Sequence, residues 1–115
     1  MISIGTDIVK IDRIKDLSSD DKFLSKIFTP KELEYCNSHS NPVIHLSGKY
    51  AAKEAVKKAL LSASLITHIS MKSIEILNNK DKSPYIYISI IKDVKCNVSI
   101  SHDGNYAIAF VFIEK

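Results

Sequence analysis

The chain has no tryptophan and, in 115 residues, only three glycines, three prolines and two cysteines. Glycines this sparse leave no Walker loop and no Rossmann fingerprint. Cys36 and Cys96 lie far apart and belong to no C-x-x-C pattern, so reduced thiols are expected rather than a disulfide framework. His39, His45, His68 and His102 are scattered without zinc-ligand spacing, which argues against a structural metal. No Ser-His-Asp order of a hydrolase is present. No window approaches the ~20 apolar residues that a membrane helix needs, and no basic-then-apolar leader opens the chain. A soluble, cytoplasmic protein is expected. Repeats, linkers and low-complexity tracts are also missing, so residues 1–115 read as one domain.

What remains is an ordinary globular composition, 45% hydrophobic and 25% charged, able to bury one real core. The formal net charge of +3 hints at an acidic partner or a phosphate-bearing ligand. Basic residues gather in 10–31 and 49–58.

Residues 2–11 alternate loosely and predict a strand that loses regularity at Gly5-Thr6-Asp7. Apolar residues crowd around Asp7 at Ile2, Ile4, Ile8, Val9, Ile11 and Ile14, as in a buried strand. Ser19 is placed to cap a short helix over Asp20–Phe28. In TPKELEYC, Thr29 is the N-cap, Pro30 takes the first helical position and Glu32 falls at N3, which makes a capping box. Asn41-Pro42 opens a longer helix running to about Leu60. At ~100° per residue, Ile44, Gly48, Ala51, Ala55 and Ala59 form one thin stripe that lets a sheet approach closely. Lys49, Lys53 and Lys57 are expected to point the other way, into solvent. Ser47, Glu54 and Lys58 fall on the border between the two faces. The second half reads as β, with strands over 72–77, 85–90, 98–101 and 106–113, the last two joined by HDGN. The fold class is α+β: a mostly antiparallel sheet packed against one long helix.

Asp7 and Glu54 carry the chemistry. On residue types alone, Asp7 caps a turn and Glu54 pairs with Lys58 at i,i+4. If both carboxylates instead meet at one sheet–helix seam, they suit Mg²⁺ with positions left for phosphate oxygens. A metal would also explain a carboxylate in an apolar strand, by offsetting its desolvation. His102 closes a strand and, taken alone, is a turn residue.

Four blocks, GTDIVKIDRI, FLSKIFTPKELEYC, LSGKYAAKEAVKKAL and NVSISHDGNYAIAFV, occur in one order over nearly the whole chain. Together they resemble the holo-[acyl-carrier-protein] synthases, the small phosphopantetheinyl transferases that activate acyl carrier proteins. The resemblance implies a 4′-phosphopantetheinyl transferase-like fold and Mg²⁺-dependent transfer from coenzyme A to a carrier-protein serine. It implies Asp7 and Glu54 as the metal ligands and catalytic residues, with Lys58 on the coenzyme A diphosphate. His102 is implied to face coenzyme A phosphates, and Lys49 stands where the family carries a phosphate-binding arginine. Arg13, Lys22 and Lys26 are implied as a docking face for the acidic carrier protein. Family members are typically trimers with each site at a subunit boundary. The serine proton would pass to Glu54 or to a water on the metal. Four departures stand out: Leu61-Ser62-Ala63 replaces a Gly-Thr-Gly turn, Lys49 replaces arginine, Lys82-Ser83-Pro84 lacks a preceding glycine, and the stretch before NVSISHDG is shortened, with little room for a helix.

Two other readings compete. A small basic RNA-binding module would stack bases on Tyr85, Tyr87, Tyr106, Phe110 and Phe112, yet no stretch matches the ribonucleoprotein signature. A non-catalytic relative would bind carrier protein without transferring anything.

Overall fold

A computed structural model describes all residues, Met1–Lys115. Strand β1 (Ile2–Lys10) leads into helices α1 (Ile11–Leu17), α2 (Asp21–Ile27), α3 (Pro30–Asn37) and the long α4 (Pro42–Ser62). A single 3₁₀ turn, Met71–Ser73, precedes the hairpin of β2 (Ile74–Asn78) and β3 (Pro84–Ile88). Strands β4 (Lys95–Asp103) and β5 (Tyr106–Glu114) complete the chain. The strands form two antiparallel sheets, β1-β5-β4 and β2-β3, rather than one continuous sheet.

Helix α4 lies across the three-stranded sheet on its stripe of small residues, Gly48, Ala51, Ala55 and Ala59, all buried. The approach is closest at Gly5, where a Cβ would stand 1.9 Å from the Ala55 carbonyl oxygen. Ser3 Oγ donates to the Ala59 carbonyl at 2.7 Å along the same seam. Strand β1 stays paired with β5 without interruption through Gly5, Thr6 and Asp7, so the expected loss of regularity does not occur.

The facing of β1 is the reverse of a buried isoleucine strand. Ser3, Gly5, Asp7 and Val9 turn toward α4, and Ile2, Ile4 and Ile8 stand exposed on the opposite face. The cause is steric: the thin stripe of α4 admits the small odd-numbered residues and leaves no depth for isoleucine. Asp7 is therefore not embedded among the isoleucines at all.

The other side of α4 is covered too, which overturns the expectation for two lysines. Lys49 and Lys53 are buried, and Lys57 is half-buried. Lys53 donates to the carbonyls of Ile27 (2.9 Å), Met71 (3.0 Å) and Ile74 (2.7 Å) and pairs with Glu32 at 2.6 Å. The Ile27 carbonyl is an unsatisfied group at the end of α2, which a lysine from a neighbouring helix can reach. Glu32 in turn accepts from the backbone N–H of Thr29 and of Ile76. Lys49 donates to the Ile76 carbonyl and, at 2.6 Å, to Asn78 Oδ1, with its ammonium 4.7 Å from the centre of the Tyr35 ring. The two ammonium groups thus stitch β2 and the short helices onto α4.

The capping box at Thr29–Glu32 forms as expected. Two helix starts differ. Asp20, not Ser19, caps α2, because Ser19 is spent closing α1 by donating to Asp16. Helix α1, over residues read as strand end and charged loop, receives its cap from Asn105, whose carbonyl and side-chain oxygens accept from the Ile11 and Asp12 N–H groups.

Candidate functional site

Two polar regions border α4, one at its contact with β1 and one at its contact with β4. At the first, Asp7 projects from β1 toward the helix with 15% of its side chain exposed, and Lys58 Nζ meets its Oδ1 at 2.9 Å. Lys58 also donates to the Thr6 carbonyl at 3.1 Å. The lysine therefore pairs across the seam with Asp7 and not along the helix with Glu54. Glu54 is half-buried one turn ahead of Lys58 on the same face of α4. The hydroxyl of Tyr50 lies within reach of both carboxylates' charge. Burial pushes this hydroxyl up, the Glu54 and Asp7 carboxylates add to the effect, and Arg13 opposes it. Arg13, exposed on α1, thus stands beside this corner of the seam.

At the second region, a cavity of about 370 Å³ opens between α4, the end of α3, the β2-β3 turn and β4. Lys49 and His102 line it, together with His39, His45, Tyr35 and Lys82 among others. His102 reaches it because it shares a face of β4 with Ile100, whose Cγ2 lies against Gly48. Gly48 again allows the close approach, since a Cβ there would stand 2.9 Å from that methyl. From Gly48 to Glu54 is ~9 Å along the helix axis at the usual rise, so one extended ligand can touch both regions.

The structure thus brings Asp7 and Lys58 into contact, sets Glu54 one turn from Lys58, puts Arg13 beside Tyr50, and lines one cavity with both Lys49 and His102. Lys22 and Lys26 stand exposed on α2, one turn apart, and make no contact with the corner themselves, although the neighbouring Phe23 ring lies 6.1 Å from that of Tyr50. His39, His45, Tyr50 and Lys82 were not singled out from the sequence. For His45 a signal existed: it precedes Gly48 and Lys49 by three and four positions, which puts all three on one side of the helix. The other three depend on long-range folding.

The oxygen-only donor pair Asp7 and Glu54 matches the preference of a hard cation such as Mg²⁺. The partly covered position of Asp7, 15% exposed, is one that a bound cation would stabilise. No cluster of three or more His, Cys, Asp or Glu side chains suited to a metal occurs anywhere in the chain. Protein ligands would therefore fill only part of an octahedral shell and leave the rest to water or substrate oxygens.

Comparison with known proteins gives a consistent result. The family model of the 4′-phosphopantetheinyl transferase superfamily matches residues 3–111. A holo-[acyl-carrier-protein] synthase of Thermodesulfovibrio yellowstonii is 46% identical over 112 residues, covering 96% of each chain. One from Aquifex aeolicus is 41% identical over 120 residues, covering 97% of this chain and 98% of the relative. Among solved structures, the ACPS–CoA complex of Chronobacterium ammoniagenes superposes with a TM-score of 0.84 at 27% identity, covering 98% of this chain and 96% of that one.

Proposed function

The chain belongs to the 4′-phosphopantetheinyl transferase superfamily, and on that premise we infer that it transfers the 4′-phosphopantetheine group of coenzyme A to a serine of apo acyl carrier protein. The corner at which Asp7, Glu54 and Lys58 converge carries this reading. A carboxylate held by a lysine at 2.9 Å, with a second carboxylate one helical turn away, is a site built for a cation and phosphate oxygens together.

In this reading Asp7 and Glu54 hold Mg²⁺, which when bound supplies the positive charge that neutralises the coenzyme A diphosphate. Lys58, more than half exposed, presents its ammonium to the same diphosphate. The carrier-protein serine oxygen forms a bond to the β-phosphorus while the bond to adenosine 3′,5′-bisphosphate breaks, and the leaving phosphate keeps the electron pair. Glu54 or a water at the corner accepts the serine proton. His102 and Lys49 border the cavity that receives the nucleotide end, although Lys49 is already bonded to Ile76 and Asn78. Arg13 at the corner, with Lys22 and Lys26 on α2, forms the basic surface that steers the acidic carrier protein.

The outer face of the β1-β5-β4 sheet supports a homotrimer. Ile2, Ile4, Ile8, Tyr106, Ile108 and Phe110 are all exposed there, an apolar patch of the kind that other copies cover. No helix is long and apolar enough to cross a membrane, and a cytoplasmic site of action goes with the proposed substrates.

Intact-mass spectrometry of apo acyl carrier protein, incubated with the chain, coenzyme A and Mg²⁺, tests the reaction. The expected result is a mass gain of one phosphopantetheine that EDTA abolishes. Asp7→Ala and Glu54→Ala should each lower kcat/KM by roughly a hundredfold or more while leaving the circular-dichroism spectrum unchanged. Normal transfer by either variant would remove the metal assignment.

A further inference from the structure

In the cavity beside His102, the rings of His39 and His45 stack with centroids 3.9 Å apart. The Tyr35 ring stands behind them, 4.6 Å from His39 and 5.9 Å from His45. The Tyr35 carbonyl can only accept, so at 2.8 Å it requires the proton of His39 on Nδ1. Nε2 is then the nitrogen that gains a proton, and becomes a donor, when His39 is charged.

The charges that act on His45 all come from groups that are cations or become cations. His39 approaches from the turn after α3, Lys49 from α4 itself, His102 from β4 and Lys82 from the β2-β3 turn. No carboxylate lines the cavity. Glu34 of α3 borders a separate hollow with Lys31 and Ser38, and the Asp81 carboxylate is taken by Ser83 within its own turn. Burial, and then these neighbouring cations, hold the His45 imidazole below its ordinary value, which favours its neutral form. A phosphate group entering the cavity reverses the balance, because each added positive charge then has a nearby anion.

We propose that the stacked His39–His45 pair is a proton-coupled anion-binding element of this cavity, taking up one proton as a phosphate group of coenzyme A enters. The role rests on the transfer reading above. The pair carries a single charge between its rings, since a second would sit against the first. The ligand raises the proton affinity of the pair. Affinity therefore grows as pH falls from the bound-state pKa toward the free-state pKa and levels off below it.

Isothermal titration of coenzyme A in the presence of Mg²⁺, between about pH 8 and pH 6, tests this on the wild type and on the double variant His39→Asn/His45→Phe, which leaves neither imidazole of the pair to take the proton. Phenylalanine at 45 keeps a ring against the cavity wall, and asparagine at 39 keeps an N–H for the Tyr35 carbonyl. Every other group is common to the two proteins, so the difference between slopes isolates the pair. Over that interval the wild-type Kd should tighten about three- to tenfold more than that of the double variant, as expected for one linked proton. Parallel slopes in the two proteins would overturn the proposal while leaving the transfer reading standing. Absence of coenzyme binding by the wild type at every pH would remove both. Repeating the titration with dephospho-coenzyme A locates the anion. Loss of the excess slope assigns the pair to the 3′-phosphate, and its persistence assigns it to the diphosphate.

Discussion

Lys53 has none of its side chain exposed, and its ammonium touches Glu32 and the carbonyls of Ile27, Met71 and Ile74. Burial lowers its proton affinity, and the Glu32 carboxylate opposes that shift. Removing one partner of such a pair leaves the other charge buried and unmatched. Lys53→Met should therefore cost about 3–5 kcal/mol of unfolding free energy, read from urea denaturation. The double variant Glu32→Gln/Lys53→Met should recover part of that loss, because the stranded carboxylate is gone. An additive double variant would mean that the two charges are not coupled. Periodicity correctly placed Lys53 opposite the Gly-Ala stripe of α4. It carried no information about what lies on that side, where α2 and β2 close over the helix. Glu32 shows the same limit. Its local role in the capping box was legible, and its second role, accepting from the Ile76 N–H, joins positions far apart in the chain.

At the scale of elements, the ends of helices separate what was readable from what was not. Thr29 and Pro30 announce α3 because the capping groups lie within four residues of each other. Helix α1 went unread because its cap, Asn105, comes from the β4-β5 turn, and Lys10 at its own N-cap position contributes no side-chain bond. Helix α4 runs two residues beyond Leu60 and then stops without glycine. Ser64 takes a left-handed φ of 57° and donates to the Leu61 carbonyl, while the Leu65 N–H donates to Leu60, together a Schellman closure. A non-glycine residue pays a steric cost in that conformation, which Gly avoids. Ser64→Gly should therefore raise stability by about 0.5–1 kcal/mol, seen as a higher urea midpoint with an unchanged slope. A lower midpoint would show that the serine side chain has a role the closure does not reveal.

At the scale of the whole molecule, the question is why β1 turns its isoleucines outward. A strand with Ile2, Ile4 and Ile8 on one face and Ser3, Gly5 and Asp7 on the other names the isoleucine face as its buried side, and that side is the wrong one within a single chain. The thin stripe of α4 demands Gly5, and the odd-numbered residues follow it because strand faces alternate. One register choice then has two consequences. It delivers Asp7 to the Lys58–Glu54 corner, and it leaves Ile8 (60% exposed) and Phe110 (47% exposed) on a bare sheet face. If that face holds a trimer together, a charge placed on it must separate the subunits without unfolding them, since the α4 side of the sheet is untouched. Phe110→Lys, and independently Ile8→Lys, should shift the mass measured by light scattering from trimer to monomer. Near-native circular dichroism should persist in both variants. Transfer activity should fall with the trimer if each site spans a subunit boundary, and it should survive in the monomer if each chain completes its own. A wild type that is monomeric at working concentration, or a Phe110→Lys protein that stays trimeric, would refute the assignment of this face as the subunit interface.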